Sequence, residues 1–150
     1  MAMLTGCGVP VDAVAGISVT DDGHLLGALM VCGHHIDGAS LYADSEKSHR
    51  SVTVGSWTSD APLATGLATW TLDAPAPGWT TTVPLAPLTS GTTYHLYGWT
   101  KDNSWSSSHV SFTSADRDRL SPGDIRYEDF SDDGAAVPTT EFQAGACKSA

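Results

Sequence analysis

The sequence predicts an all-β protein that folds as one antiparallel β-sandwich domain of about seven strands. Short runs rich in Val, Ile, Thr and aromatic residues recur along the chain, and clusters of Gly, Pro, Asp or Ser separate them. No run keeps the period of an amphipathic helix. A chain of 150 residues is close to the usual size of one domain and can bury one hydrophobic core.

The first predicted strand covers residues 14–20, and the Asp-Asp-Gly sequence after it favours a tight turn because Asp and Gly tolerate positive φ. Residues 25–32 are apolar on both faces, which is typical of a strand in the middle of a sheet. The remaining predicted strands are 39–43, 51–58, 68–72, 80–85, 92–101 and 109–114. Prolines fall between these runs or at their ends, where no hydrogen bond of a sheet is lost.

The sequence Pro-Leu-Thr-Ser-Gly-Thr-Thr-Tyr, which ends at Tyr94, carries the most specific pattern. It is similar to the corner between strands E and F of fibronectin type III domains, with Leu88, Gly91, Thr92 and Tyr94 at the matching positions. The resemblance spans residues 10–126 and implies a sandwich of about seven strands. In that family the tyrosine ring enters the core and its hydroxyl bonds a backbone group upstream. The resemblance implies the same role for Tyr94.

Two positions depart from the pattern of that family. Ser90 stands where proline is usual, and Cys32 lies near the place of a buried tryptophan. We expect Trp57 or Trp70 to fill that space in the core.

The sequence Leu-Thr-Gly-Cys, which ends at Cys7, resembles a bacterial lipobox. In that family signal peptidase cuts before the cysteine and the thiol carries a diacylglycerol, so the resemblance implies export and lipidation of Cys7. The charged and most of the apolar region of a signal peptide are missing ahead of it. This predicts a chain trimmed close to the cleavage point, with residues 1–9 as a residual signal segment. The alternative is a chance match in an ordinary N-terminal segment.

Three cysteines raise the question of a disulfide. If Cys7 is lipidated, Cys32 and Cys147 remain as a pair, and an exported protein is expected to join them. In the chain-entropy model, a bridge that closes so long a loop stabilises the fold by about 4 to 5 kcal/mol. The alternatives are a bridge between Cys7 and Cys147, or three free thiols in a reducing cytosol.

The chain carries 17 acidic and 7 basic residues, a formal net charge of -10. This charge repels phosphate backbones and anionic lipid headgroups, which argues against nucleic acid as a partner and limits membrane contact to a lipid anchor. No stretch approaches the roughly 20 apolar residues of a membrane-spanning helix. The usual motifs of nucleotide-binding proteins, zinc proteases and serine hydrolases are missing. We expect no cofactor and no catalysis.

Three histidines and one aspartate are candidate metal ligands. His34, His35 and Asp37 lie close in sequence, and His24 lies across the preceding predicted strand. Neighbouring residues of a strand point to opposite faces, so His34 and His35 cannot both face one ion unless the turn bends them. The favoured interpretation is a polar turn without a metal.

The predicted ligand-binding site is a group of aromatic residues. If Tyr94 faces the core, strand alternation places His95, Tyr97 and Trp99 on the outer face of the same strand. Trp105 follows among small polar residues near a loop tip. We predict that His95, Tyr97, Trp99 and Trp105 bind the ligand. The alternative is that the C-terminal tail or a neighbouring strand covers these rings.

These observations predict a β-sandwich domain at residues 10–126 and an acidic C-terminal tail at residues 127–150, which a disulfide ties to the domain. The predicted function is that of an exported, non-catalytic binding or adhesion module that recognises a glycan or a protein at the cell surface. One alternative is a structural subunit that assembles with its own copies through the same rings. Another is a small hydrolase, which a histidine with a neighbouring carboxylate and nucleophile would favour.

Overall fold

The computed structural model describes residues 9–44, 50–128 and 134–148. Strands account for 54% and helices for 12% of these residues, which confirms the all-β prediction. Each of the eight predicted strands overlaps an observed strand, and three further strands complete the fold. The predicted lipidation site, Cys7, lies outside the described residues.

The strands are bounded by turns at the predicted Gly, Pro and Asp clusters. In chain order they are β1 (Val11–Val19), β2 (Leu25–Val31), β3 (Ile36–Asp44), β4 (Ser51–Leu63), β5 (Gly66–Thr71), β6 (Trp79–Val83), β7 (Tyr94–Trp99), β8 (Ser106–Ser108), β9 (Val110–Phe112), β10 (Asp124–Glu128) and β11 (Gly134–Pro138). The helices are α1 (Ser114–Asp118) and α2 (Thr139–Gly145), and a 3₁₀ turn follows at Ala146–Lys148. In the described part of the chain, no helix has the length and apolar character needed to cross a membrane.

Hydrogen bonds link the eleven strands into one sheet that is nearly closed and barrel-like. One path runs β11-β10-β1-β8-β7-β3-β4-β6, and a branch from β1 continues through β2 to β5. The branch forms because β2 pairs with one edge of β1, while β8 and β10 share the other edge. β8 pairs in parallel with Val11 and Val14, and β10 pairs antiparallel with Gly16 and Ile17. The predicted sandwich of about seven strands is not confirmed, because β8 bonds to both β1 and β7 and so joins what would be two layers.

The main core fills the inside of this sheet with side chains that alternate inward along the strands. Both tryptophans expected in the core are buried: Trp57 on β4 is 1% exposed and Trp70 on β5 is 3% exposed. Their rings pack edge to face with centroids 6.3 Å apart. Trp79 on β6 stacks on Trp70 at 4.1 Å. These rings therefore pack across the space between β5 and β6, where the sheet is open.

The predicted placement of Tyr94 is confirmed. It opens β7 with 3% of its surface exposed, and its hydroxyl accepts a hydrogen bond from the backbone N–H of Thr89 at 2.7 Å. Leu88 packs against the main core. Gly91 has a φ of 82°, a left-handed conformation that glycine adopts without steric cost.

The C-terminal segment belongs to the fold. β11 pairs with β10, which in turn pairs with β1. Phe142 of α2 is 0% exposed and packs with Ile125 and Val14 in a second, smaller core. The predicted boundary between residues 126 and 127 is wrong because it falls inside β10, and the described part of 127–150 is not a free tail.

A disulfide bond fastens this segment to β2. It joins Cys32 to Cys147, whose Cα atoms lie 5.6 Å apart. The structure thus brings together the two cysteines that the sequence analysis pairs.

Candidate functional site

The outer face of β7 presents three of the residues predicted to bind a ligand. Buried and half-buried residues alternate along this strand, as expected when one face lies on the core. The buried residues are Tyr94, Leu96 and Gly98, and the half-buried residues are His95, Tyr97 and Trp99. The predicted direction of the outer side chains is confirmed, and neighbouring strands cover each of them in part.

The indole of Trp99 lies across the neighbouring strand, β3. Trp99 pairs with Gly38 between β7 and β3, and a Cβ atom at Gly38 would lie 2.5 Å from Cζ2 of Trp99. The same Cβ atom would lie 2.6 Å from the backbone oxygen of Trp57, so any larger side chain at position 38 would displace the ring, strand β4 or both. Nε1 of Trp99 donates a hydrogen bond to Oγ of Ser40 at 2.9 Å. The glycine and the serine together hold the ring with one side against β3.

An open cleft of about 850 Å³ lies beside this ring. Its lining combines the two rings Tyr97 and Trp99 with polar side chains of the β7–β8 hairpin, among them Lys101, Asn103, Ser106, Ser108 and His109. The volume falls in the usual range of small-molecule sites, about 300 to 1,000 Å³.

Hydrogen bonds fix the loop between β7 and β8, which forms one wall of the cleft. The hydroxyl of Thr100, a residue 3% exposed, accepts from the backbone N–H groups of Ser104 at 2.8 Å and Trp105 at 3.1 Å. The N–H of Lys101 donates to the Asp37 carboxylate at 2.9 Å. Asp37 is itself buried. The wall is therefore in place before any ligand arrives.

A cluster of rings extends the outer face from β7 onto β3. Tyr42 stacks on His95 with centroids 4.8 Å apart, and its hydroxyl lies 3.0 Å from Nδ1 of His109. Tyr97 packs against His109 at 4.9 Å. Desolvation, followed by the charge of His95, lowers the pKa of His109, and desolvation raises the pKa of Tyr42. Both pKa shifts favour the neutral ring, so His109 and Tyr42 offer uncharged polar groups.

His95 also bridges a hydroxyl and a carboxylate. It pairs with Ser111 between β7 and β9, and its Nδ1 lies 2.7 Å from Oγ of Ser111. Its Nε2 lies 2.9 Å from Oδ2 of Asp44. Nucleophile, base and orienting carboxylate follow one another in this order in serine hydrolases, where Nε2 faces the serine and Nδ1 the carboxylate. In His95 the two ring nitrogens have exchanged these partners. The His95 side chain is 17% exposed, whereas that of Asp44 is 64% exposed.

Trp105 has different neighbours from the other predicted site residues. Its ring stacks on His34 with centroids 3.5 Å apart, and Nδ1 of His34 contacts the Asp12 carboxylate. Trp105 is not among the residues that line the cleft. The structure therefore brings Tyr97 and Trp99 together at the cleft and directs Trp105 elsewhere.

The histidines considered as metal ligands pair with separate carboxylates: His24 with Asp73, His34 with Asp12 and His35 with Asp37. The hydrogen bond from His34 lowers the pKa of Asp12. Within residues 9–44, 50–128 and 134–148, no three His, Cys, Asp or Glu side chains lie close enough to hold a metal ion.

The residues of the outer face that were not predicted include Gly38, Ser40, Tyr42 and His109. The first three alternate along β3, so they share the face that β3 presents beside Trp99. That alternation is visible in the sequence, but the adjacency of β3 and β7 is not.

Comparison of the chain with protein-family models, with curated proteins and with solved structures finds no match. The functional interpretation therefore depends on the geometry of the outer face.

Proposed function

We propose that this chain is a non-catalytic binding module that recognises a glycan or a protein through the cleft beside Trp99. The placement of Trp99 carries the proposal. Tryptophan supplies a large rigid contact surface with few rotors to immobilise, which is why it is enriched at binding hot spots. Here Gly38 and Ser40 hold the ring at the edge of a cleft instead of in the core.

The fixed loop between β7 and β8 supports the same function. Ordering a flexible loop on binding costs free energy that reduces affinity. The bonds of Thr100 and Asp37 to the loop backbone remove most of this cost in advance. A preformed cleft with two rings and a few placed polar groups is the common form of a ligand site.

The binding function is tested by passing envelope proteins and a mixed glycan library over immobilised wild type, Trp99→Ala and Trp105→Ala. We expect the retained ligand to be lost with Trp99→Ala and kept with Trp105→Ala, because Trp105 stacks on His34 away from the cleft. Equal retention by all three proteins would contradict the proposal. Concentration-dependent sedimentation that disappears with Trp99→Ala would assign the rings to self-assembly instead.

We propose further that the module is exported and anchored by a lipid on Cys7. The disulfide between Cys32 and Cys147 supports export, because disulfides persist mainly in oxidising compartments. The anchor is tested with a full-length precursor. A Cys7→Ala precursor that still fractionates with membranes would contradict it.

We also propose that the fold is a fibronectin type III-like sandwich with additional strands. The runs β5-β2-β1 and β4-β3-β7-β9 are the candidate layers, and the corner at Tyr94 leads into β7 as in that family. β8 and β10 then join and extend these layers. An experimental structure with a regular closed barrel in place of two facing layers would contradict this proposal.

A second candidate function is ester hydrolysis at Ser111, which the contacts of His95 favour. In this scheme Oγ of Ser111 attacks the ester carbonyl while Nδ1 of His95 takes its proton, and the imidazolium returns that proton to the departing alcohol. Water then attacks the acyl group by the same route, releasing the acid and restoring the serine. Asp44 orients the imidazole throughout.

Hydrolysis of nitrophenyl acetate and labelling by a fluorophosphonate test this second candidate. Both should be lost with Ser111→Ala and kept with Ser106→Ala, since Ser106 lies on β8 without a described contact to His95. A wild-type protein that neither hydrolyses the ester nor takes the label would exclude the serine mechanism.

A further inference from the structure

We infer that the ligand is an oligosaccharide of uncharged pyranose sugars that stacks on the accessible side of the Trp99 ring. The inference rests on the proposed binding function and names the ligand class for the same cleft.

The hydrogen bonding of the Trp99 indole is the first argument. Its N–H group is already used by Ser40, so the ring offers a ligand its π face and not a hydrogen-bond donor. An aromatic face carries partial negative charge and attracts weakly positive C–H groups. A pyranose with equatorial hydroxyls presents such C–H groups on one side of its ring. Stacking of a sugar therefore uses the π face of Trp99, the part of the ring that makes no hydrogen bond.

The polar residues around the ring are the second argument. Asn103, Ser106 and His109 line the cleft next to Tyr97 and Trp99. Their amide, hydroxyl and imidazole groups can both donate and accept hydrogen bonds. The hydroxyls of a sugar also donate and accept, and they project from the edge of the ring whose face would stack. A stacked pyranose would therefore meet these groups at its rim.

The composition of the cleft separates a glycan from a protein partner. Centres of protein interfaces are depleted in Ser and Lys relative to the rest of the surface. Here Lys101 and Ser106 line the cleft beside Val9, Val11 and the two rings. A protein strand docked there would desolvate the Lys101 ammonium group and the Ser106 hydroxyl, which is unfavourable unless groups of the strand bond to both.

Charge separates a neutral glycan from an acidic one. Among the described residues that line the cleft, Lys101 is the one with a formal charge at neutral pH. The whole chain carries a formal net charge of -10. An acidic polysaccharide would meet repulsion from the protein that a single exposed lysine does not offset.

Titration calorimetry tests the inference with neutral cello-, chito- and galacto-oligosaccharides and with acidic oligogalacturonate as probes. We expect at least one neutral probe to bind, and we expect Trp99→Ala to weaken its Kd at least about 30-fold, the loss that corresponds to a binding hot spot. Trp99→Phe should retain part of the affinity because it keeps an aromatic face. Trp105→Ala is the matched control and should leave Kd unchanged.

The indole N–H resonances of the wild-type protein give a readout that does not depend on the folding of a variant. On addition of the bound oligosaccharide, the resonance of Trp99 should shift, and that of buried Trp57 should not. Tighter binding of oligogalacturonate would overturn the inference, and so would sugar binding that is indifferent to Trp99. Trp99-dependent retention of a protein with no glycan binding would also overturn it but leave the proposed function standing. Retention of neither class would overturn both.

Discussion

Trp57 and Trp99 flank the same strand, β3, from opposite faces of the sheet and use their indole rings in opposite ways. Trp57 is 1% exposed, and its Nε1 has no hydrogen-bond partner in the described part of the chain. Trp99 is half-buried, and its Nε1 donates to Ser40. The core tolerates an unsatisfied donor, at a cost of about 1 to 3 kcal/mol, because burial of the large ring outweighs it. On the outer face the hydrogen bond to Ser40 fixes the orientation of the Trp99 ring. A binding surface requires side chains with such a fixed orientation.

The largest difference is expected when each tryptophan is truncated. Trp57→Ala should lower the free energy of unfolding by about 3 to 5 kcal/mol, the usual cost of deleting a core aromatic ring. Trp99→Ala should lower it by about 1 to 2 kcal/mol, because the ring is partly exposed already. Urea denaturation measures both. Equal losses would show that Trp99 is a core residue and that the two faces do not differ as described.

Two glycines allow a matched test of the same comparison. A Cβ atom at Gly38 would lie 2.5 Å from Cζ2 of Trp99, and one at Gly55 would lie 2.6 Å from Cη2 of Trp57. Gly55→Ala should cost about 1 to 3 kcal/mol of stability through overpacking. Gly38→Ala should cost more, because its Cβ atom would also lie 2.6 Å from the backbone oxygen of Trp57. Gly38→Ala alone should reduce ligand binding, since it moves the outer ring. An equal loss of ligand binding in both variants would mean that a change on the inner face of the sheet also disturbs the ligand site on its outer face.

Strand β7 provides a smaller test with its two tyrosines. Tyr94→Phe should lower the free energy of unfolding by about 1 to 2 kcal/mol, because the N–H of Thr89 loses its acceptor. The Tyr97 hydroxyl makes no hydrogen bond with the described residues, so Tyr97→Phe should change stability by less than about 0.5 kcal/mol. Thermal and urea unfolding of the two variants give the difference. A larger loss of stability for Tyr97→Phe than for Tyr94→Phe would contradict the assignment of the corner to Tyr94.

The smallest expected effect is a pH dependence at His109. Its pKa is lower in the folded protein than its ordinary value of 6.5, so the unfolded chain binds the proton more readily. The contribution of the neutral His109 ring to the free energy of unfolding is fully present above pH 6.5. It is lost as the pH falls through the pKa that His109 has in the folded protein. Wild type should therefore lose more stability than His109→Gln between about pH 7 and pH 5. Parallel curves for the two proteins would contradict the lowered pKa of His109.

Local patterns explain why much of β7 could be predicted from the sequence. Alternation along residues 94–99 is enough to sort inner from outer side chains, and Gly91 and Tyr94 mark a corner whose chemistry is contained in eight consecutive residues. The pairing of Cys32 with Cys147 followed from the expected lipidation of Cys7. These predictions need no knowledge of which strands are neighbours.

Long-range packing explains what could not be predicted. Gly38 and Ser40 support Trp99 through the register of β3 against β7, which a single sequence does not reveal. Phe142 is an apolar residue in an acidic segment, but its burial against Ile125 depends on how α2 packs on β10, which a single sequence does not reveal. The sequence places Trp105 with Trp99 because both residues are aromatic and lie close together along the chain. The stacking of Trp105 on His34 depends on where the preceding turn brings that histidine.

The disulfide between Cys32 and Cys147 has a mechanical consequence. When the two ends of the chain are pulled apart, tension passes from Cys32 through the sulfur atoms to Cys147 and bypasses the backbone between them. The described residues ahead of Cys32 can then extend by at most about 80 Å, at about 3.3 to 3.6 Å per residue. β3 and β7 lie wholly inside the bridged loop. A load on the ends can strip β1 from the sheet, but it is not transmitted along the strands that carry Trp99 and its support.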